Sequence, residues 1–304
     1  MAKFRTNHKR QNGSGGMILK VGLFSVVVGA MYFAFQKFPG ALFPSDSPVL
    51  VDVDDLETYG LDSIFYLPTS TSGEIVRHKY YALSYREDFE LAEWVAYELT
   101  SARLYSKWVD RTGDFRPDPL VKTQSASPDD YREANYDRGH LAPAGDMAFS
   151  NEAMSQSFFM SNIAPQVSGF NKGIWRELEE LTRDWAKHFK HLYVVTGPLL
   201  SHGIEHRIGD DGVAVPAAFY KVLLDLREPE LKAIAFVVPN EVSVEPVGKY
   251  ATTVDAVEKL TGIDFFPNLM PPELEAKLES SCNMKLWKTN EKKYQLRIRK
   301  WNKN

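Results

Sequence analysis

The chain has 304 residues but only one cysteine, Cys282. One cysteine cannot form an intrachain disulfide or a multi-thiolate zinc site, and no catalytic-thiol signature flanks it. The sequence also lacks an HExxH pair and a GxSxG elbow, which excludes the common zinc-protease and serine-nucleophile patterns. His202 and His206 leave a zinc site open as a weak alternative, since three ligands would be wanted. Net charge is only −4, so attraction for a polyanion requires a local basic patch.

The N-terminal region predicts a membrane anchor. Residues 1–16 form a basic tail without acids, and residues 17–38 contain a long uncharged, mostly apolar stretch between two lysines. With snorkelling lysines, this stretch approaches the ~20 residues that a bilayer requires. A cleaved signal peptide is the alternative, but the basic region is long and no clear small-x-small site follows. We therefore expect an uncleaved signal-anchor, with the body on the non-cytoplasmic side, in a bacterial periplasm or a mitochondrial intermembrane space.

The rest of the chain predicts a linker and one large domain. Residues 39–55 are rich in Pro, Ser and Asp, which is typical of a linker that leaves a membrane. From residue 56 to residue 304 there is no second low-complexity break and no internal repeat. A single domain of this length is within the known range.

Strand and helix patterns mix in this domain without regular βαβ alternation, which predicts an α+β fold. We expect an early strand in "HKYYALSY" and core strands in "HLYVVTGP", "FYKVLLDL" and "AIAFVVPN". In "DFELAEWVAYELT" the apolar residues Leu91, Val95 and Leu99 recur at helical spacing, so a helix is expected there. The longest helix is expected to begin near Asn171, with aromatic and aliphatic residues on one face and charges opposite.

The stretch "YDRGHLAPAGD" places an acid, a guanidinium and an imidazole next to a Gly- and Pro-containing bend. Arg138 and His140 are two residues apart, so on a strand both side chains lie on one face. An imidazole can take a proton from water, and a guanidinium can neutralise a phosphate oxygen. Asp137 lies on the opposite face and is expected to be a structural ion-pair partner or hydrogen-bond acceptor. A structural histidine beside a salt-bridged arginine is the alternative.

A second cluster follows in "SNIAPQ" and "FNKGIWRELE", which contain Asn162, Asn171 and Glu179. Asn171 has an ordinary role as a helix N-cap, and Glu179 as a solvated surface acid. The two side chains are also compatible with a cradle for hydrated Mg²⁺, which proteins usually bind through one or two oxygens.

Together, "DRGHLAP", "SNIAPQ" and "FNKGIWRELE" resemble the DNA/RNA non-specific endonucleases of the ββα-metal (His-Me finger) superfamily. The resemblance runs from about residue 80 to residue 269 and is closest to the branch of endonuclease G and its exonuclease-like relative. It implies that His140 is the general base, that Asn171 binds the metal and that Glu179 orients the metal's water shell. Asn162 would support the geometry of the active site.

The resemblance also implies an arginine that contacts the phosphate region. This residue is Arg111 of "DRTGDFRPDP" or its rival Arg116, while Arg138 is expected to bind phosphate as well. Asp146 stands where several members have asparagine or another polar residue, which affects expected substrate contacts rather than the chemistry. The implied fold is a ββα-metal finger on a mixed, mainly antiparallel central sheet flanked by helices.

The implied activity is Mg²⁺-dependent endonuclease cleavage of DNA and RNA, with Mn²⁺ or another divalent ion able to substitute. Products would carry 5′-phosphate and 3′-hydroxyl ends, and sequence preference would be weak because phosphates are contacted rather than bases. The basic C-terminal segment is either a solvated tail or part of a surface that follows phosphates. A 5′-3′ exonuclease and a catalytically idle nucleic-acid-binding protein remain alternatives, and a homodimer is compatible with the resemblance.

Overall fold

Antiparallel strands dominate the fold, which is seen in a computed structural model that describes residues 66–201, 204–227 and 229–303. The strands in this part of the chain are β1 Glu74–Arg77, β2 Ala82–Arg86, β3 Leu91–Thr100, β4 Asp137–His140, β5 Ile163–Gln166, β6 His191–Pro198, β7 Ile204–Ile208, β8 Val213–Pro216, β9 Ala218–Asp225, β10 Lys232–Pro239 and β11 Ala251–Thr252. Seven of them form an antiparallel central sheet in the order β1-β2-β3-β6-β9-β10-β11. Two antiparallel ribbons, β4–β5 and β7–β8, lie outside that sheet.

Helices cover the sheet. The α-helices of the described residues are α1 Ser101–Tyr105, α2 Asn151–Gln156, α3 Arg176–Phe189, α4 Val254–Thr261, α5 Pro272–Glu279 and α6 Glu291–Arg299. A π-helical turn spans Phe170–Trp175, immediately before α3. Single 3₁₀ turns occupy Pro128–Tyr131, Met160–Asn162, Val247–Tyr250, Met284–Leu286 and Trp301–Lys303. The mixture confirms the predicted α+β class with a mainly antiparallel sheet.

Two apolar cores lie on the two faces of the central sheet. One contains buried residues of the β4–β5 ribbon and of α3, such as Ile163, Ala164 and Leu178. The other contains buried residues of α4 and α5, such as Val257 and Leu278. Burying one such side chain is worth about 1.5–3 kcal/mol, so each layer is held to the sheet by many small contributions. The ribbon that carries the DRGH motif therefore lies on the face opposite α4 and α5.

The prediction of a helix in "DFELAEWVAYELT" is wrong, because most of this segment forms the central strand β3. Strand β3 pairs with β2 on one side and β6 on the other, and both of its faces are covered. Leu91, Val95 and Leu99 are spaced by four, an even number, so a strand also places them on one face. Trp94 and Ala96 pack into the opposite core. Covering on both faces removed the polar alternation that would have indicated a strand.

Other expected elements are present. Strand β2 covers most of the last part of "HKYYALSY", and the three β-rich runs are β6, β9 and β10. The long helix exists, but its first turn differs from the expected N-cap arrangement. Asn171 lies inside the π-helical turn, and the non-helical backbone of Gly173 (φ −98°, ψ −109°) kinks the chain within that turn, before α3 begins.

The membrane anchor and linker expected at residues 17–38 and 39–55 lie outside the described residues. Within the described ranges, none of the helices combines the length and apolar character needed to span a bilayer.

Candidate active site

The β4–β5 ribbon presents His140 at its end. Asp137 pairs with Gln166 and His140 with Ile163, so the motif DRGH forms the whole of β4. Gly139 is required here because a Cβ atom at this position would lie 2.1 Å from the side chain of Gln166. The DRGH glycine thus allows the two strands of the ribbon to pack closely.

His140 is buried between two aromatic rings. Its ring centroid lies 4.9 Å from that of Phe158, edge to face, and 5.6 Å from that of Phe115. The guanidinium of Arg138 lies 4.3 Å from the centre of the Phe115 ring. Because both side chains contact Phe115, the geometry supports the expectation that Arg138 and His140 share one face of the strand.

The electrostatic environment keeps the His140 ring neutral. Burial, and to a lesser extent the nearby positive charge of Arg111, lowers the pKa of His140 to about 3. The Nε2 atom is buried without a hydrogen-bond partner among the described residues. At neutral pH the ring is therefore uncharged, with one ring nitrogen not committed to the protein.

Arg111 and Arg116, the two rivals from the sequence, have different surroundings. Arg116 donates to Asp114 and to both the carbonyl and the hydroxyl of Ser155, and its guanidinium lies over the ring of Phe159. These contacts give Arg116 a structural role. Arg111 instead lies over the ring of Phe158, the same ring that contacts His140. The geometry supports Arg111 as the arginine of the site.

Asn171 is positioned by the DRGH motif itself. Its Nδ2 atom donates to Asp137 Oδ2 at 2.9 Å, which confirms that Asp137 is a hydrogen-bond acceptor. With Nδ2 committed to Asp137, the amide oxygen of Asn171 is the atom that can bind a cation. Lys172 Nζ lies 4.0 Å from the same carboxylate oxygen. The π-helical turn that carries Asn171 is a type of distortion often found at functional sites.

A cleft of about 560 Å³ opens beside this hydrogen bond. Arg111, Arg138, Asp137 and Asn171 are among the residues that line it. An oxygen ligand at the edge of a polar cleft suits Mg²⁺, which retains much of its water shell and takes only one or two protein oxygens. The donor set therefore fits the expected ion, with Asn171 as the residue that would hold it.

Asn162 is fully buried and tied to the loop that follows His140. Its Nδ2 atom donates to the carbonyls of Ala142 and Ser157, while its Oδ1 atom accepts from the backbone N–H of Ala142. The backbone N–H of Leu141 donates to the carbonyl of Asn162 as well. Asn162 is thus a clamp that positions the end of β4, and its amide is used by the protein rather than presented to the cleft.

Glu179 is half-buried and belongs to a charge cluster that no sequence motif predicts. Burial raises the pKa of Glu179 to about 7, against the positive charges of Arg183, Lys221 and Arg111. The cluster also contains Asp146, which accepts from Arg183 at 2.8 Å and from the hydroxyl of Tyr97 at 2.7 Å. The hydrogen bond from the Arg183 guanidinium therefore gives the Asp146 carboxylate a structural role.

Lys221 is a buried residue near the site that was not predicted, although the sequence contains an indication of it. It is fully buried in β9, its Nζ atom has no hydrogen-bond partner among the described residues, and burial lowers its pKa to about 8. A lysine inside the apolar run "FYKVLLDL" is such a signal, because a charge in a core strand requires a partner. Its electrostatic partner is Glu179, which is distant in sequence.

The structure thus brings Arg111, Arg138 and Asn171 to one cleft. His140 and Glu179 are not among the residues that line this cleft. Arg111 does line it, and its positive charge lowers the pKa of both His140 and Glu179. Asn162 lies behind the site.

Comparison with known proteins identifies the family of the chain. The family model described as DNA/RNA non-specific endonuclease matches residues 63–271. The chain belongs to the DNA/RNA non-specific endonuclease family. It is therefore a nuclease that hydrolyses phosphodiester bonds, and the resemblance found in the sequence is confirmed.

Several known proteins are similar to this chain over most of its length. The protein named "Nuclease EXOG, mitochondrial" from Danio rerio is 34% identical over 273 residues, which is 80% of this chain and 78% of the relative. "Endonuclease G, mitochondrial" from Homo sapiens is 33% identical, covering 71% of this chain and 74% of its own length. The crystal structure of the EndoG/EndoGI complex contains a chain with 32% identity and a TM-score of 0.61. The matched region covers 66% of this chain and 89% of the chain in that structure.

Proposed function

We propose that this nuclease is a Mg²⁺-dependent endonuclease that cleaves DNA and RNA with little sequence preference. The observation that carries the proposal is the neutral imidazole of His140 behind a cleft that holds Asn171, Arg138 and Arg111. The products would carry 5′-phosphate and 3′-hydroxyl ends.

His140 would act as the general base. A water molecule attacks phosphorus in line and its proton passes to the free ring nitrogen of His140. The bond from phosphorus to the 3′ oxygen breaks, and that oxygen takes a proton from solvent water to become the 3′-hydroxyl. The His140 ring is neutral at physiological pH and can accept the proton of the attacking water. The negative phosphate of a bound substrate would favour the protonated ring and so raise its pKa towards a useful range.

The charges around the cleft suit a phosphodiester. Arg138 and Arg111 would neutralise the phosphoryl oxygens as negative charge grows on them. Mg²⁺ held by the Asn171 amide oxygen would supply a Lewis acid for the phosphate and the leaving oxygen. Glu179 would orient water at the cleft, and Asp137 would hold the Asn171 amide in place.

The same geometry gives a reason for weak sequence preference. Arginine side chains that contact phosphates position a nucleic acid without reading its bases, and binding through them is sensitive to salt.

For the whole chain we propose a basic tail (1–16), a signal-anchor (17–38), a linker (39–55) and a nuclease domain (56–304). The relatives from Danio rerio and Homo sapiens are named as mitochondrial, which supports a mitochondrial location. The nuclease domain would then lie on the non-cytoplasmic side, in the intermembrane space. A homodimer stays a prediction, which sedimentation of the full-length chain would test.

The test is cleavage of closed circular DNA and of RNA by the full-length chain with Mg²⁺ and with EDTA. A closed circle has no end, so its cleavage distinguishes an endonuclease from an exonuclease. We expect Mg²⁺-dependent cleavage of both substrates and a loss of at least 10²-fold in rate for His140→Ala, the low end of what a general base contributes. Equal rates for the parent and His140→Ala would remove His140 as the base.

A further inference from the structure

Five carboxylates gather on the face of the sheet opposite His140. Asp255 and Glu258 lie on α4, and Glu279 is the last residue of α5. One carboxylate oxygen from each of these three lies within 4.8 Å of the others. Asp264 and Glu275 lie close enough to act on Glu279 electrostatically.

This cluster differs from an exposed acidic patch because part of it is buried. Glu279 is only 3% exposed, and its Oε1 atom has no hydrogen-bond partner among the described residues. The Oδ1 atom of Asp264 is likewise buried without a partner in that part of the chain. Glu258 is held in place, since its Oε1 atom accepts from the backbone N–H of Phe265 at 3.0 Å.

The charges in the cluster are mutually unfavourable. Burial raises the pKa of Glu279 to about 9, and its strongest electrostatic neighbours are the four other acids. Burial also raises the pKa of Glu258 to about 7, with three acids adding to the effect. A buried carboxylate without a donor is costly, so the cluster requires either bound protons or a bound cation.

We propose that Asp255, Glu258 and Glu279 bind a Ca²⁺ ion. The ligand atoms are all carboxylate oxygens, which hard divalent cations prefer over softer metals. Ca²⁺ lies ~2.3–2.6 Å from its oxygen ligands, so three oxygens that are within 4.8 Å of one another can bind one ion after at most a small side-chain adjustment. Mg²⁺ requires near-ideal octahedral geometry and sheds its waters reluctantly, which suits a partly buried group of three carboxylates less well.

Such an ion would join α4 to α5. The two helices are connected by the segment 262–271, and both pack through buried apolar residues on the same core. The site lies across the sheet from Asn171, so a Ca²⁺ ion here would stabilise the fold without entering the reaction.

The test uses the full-length chain carrying Asn171→Ala, so that the catalytic cleft does not contribute a cation site. Calorimetric titration with CaCl₂ should show one site, and Ca²⁺ at 100 times its Kd should raise the Tm by about 5–10 °C. Adding Glu279→Gln or Glu258→Gln should weaken binding at least tenfold. Glu273→Gln, an exposed acid in the first turn of α5, is the matched control and should bind as the parent does.

Three results would overturn the proposal. Absence of both binding heat and a Tm shift would show that protons, and not a cation, neutralise the cluster. An equal Ca²⁺-induced rise in Tm in the Glu279→Gln chain would show that the ion binds elsewhere. Tighter binding of Mg²⁺ than of Ca²⁺ would show that Ca²⁺ is not the preferred ion. If a variant fails to fold, the Asn171→Ala chain with Ca²⁺ and with EDTA still decides, since identical melting curves contradict the proposal.

Discussion

Replacing Asn162 with alanine should both unfold the protein more easily and slow its reaction. The side chain is fully buried and makes three hydrogen bonds to backbone groups of Ala142 and Ser157, at 2.8–2.9 Å. Alanine leaves two carbonyls and one N–H without that partner. Each unsatisfied buried group costs about 1–3 kcal/mol, and a water in the vacated space would recover part of it. We therefore expect a loss of about 3–5 kcal/mol in the free energy of unfolding.

Urea denaturation followed by fluorescence measures this loss as a midpoint lower by roughly 1–2 M. The loop after His140 would also lose its anchor, and a displacement of about 1 Å can cost about 10²-fold in rate. Asn268→Ala, at an exposed asparagine, is the control and should change stability by less than about 0.5 kcal/mol. If Asn162→Ala loses activity while its free energy of unfolding stays within about 1 kcal/mol of the parent, the proposed structural role of Asn162 is wrong. Asn162 would then act chemically.

Two further predictions concern charges. In Arg111→Gln, loss of the positive charge raises the pKa of His140 from about 3 towards its ordinary value, so the acid limb of the kcat/KM profile should move to higher pH. Arg111→Lys keeps the charge and should leave the acid limb nearly in place. An acid limb that does not move in Arg111→Gln would show that the charge of Arg111 does not act on His140. Arg297→Met should cost about 3–5 kcal/mol in thermal unfolding, since it leaves the buried carboxylate of Glu177, now 2.6 Å from Arg297 Nε, without its partner. The exposed Arg299→Met is the control, and an equally small effect of both changes would contradict the ion-pair reasoning.

Local patterns were sufficient for much of the fold. The runs that form β6, β9 and β10 contain β-branched and aromatic residues and end at Gly, Pro or charged residues, so strand propensity and boundaries agree there. Strand β3 was misread because its apolar residues are four apart, a spacing that suits a helix and one face of a strand equally. Only its pairing with β2 and β6, formed between distant segments, distinguishes the two.

The sequence by itself determined the family and the candidate chemistry, because DRGH and the segment of Asn171 are contiguous motifs whose residue types and order are readable directly. The tertiary structure decided how these motifs meet. It joined Asp137 to Asn171 by a hydrogen bond, favoured Arg111 over Arg116, and placed Lys221 opposite Glu179. These relations depend on distances between segments that are far apart along the chain, and such distances exist only after the sheet and its layers have packed.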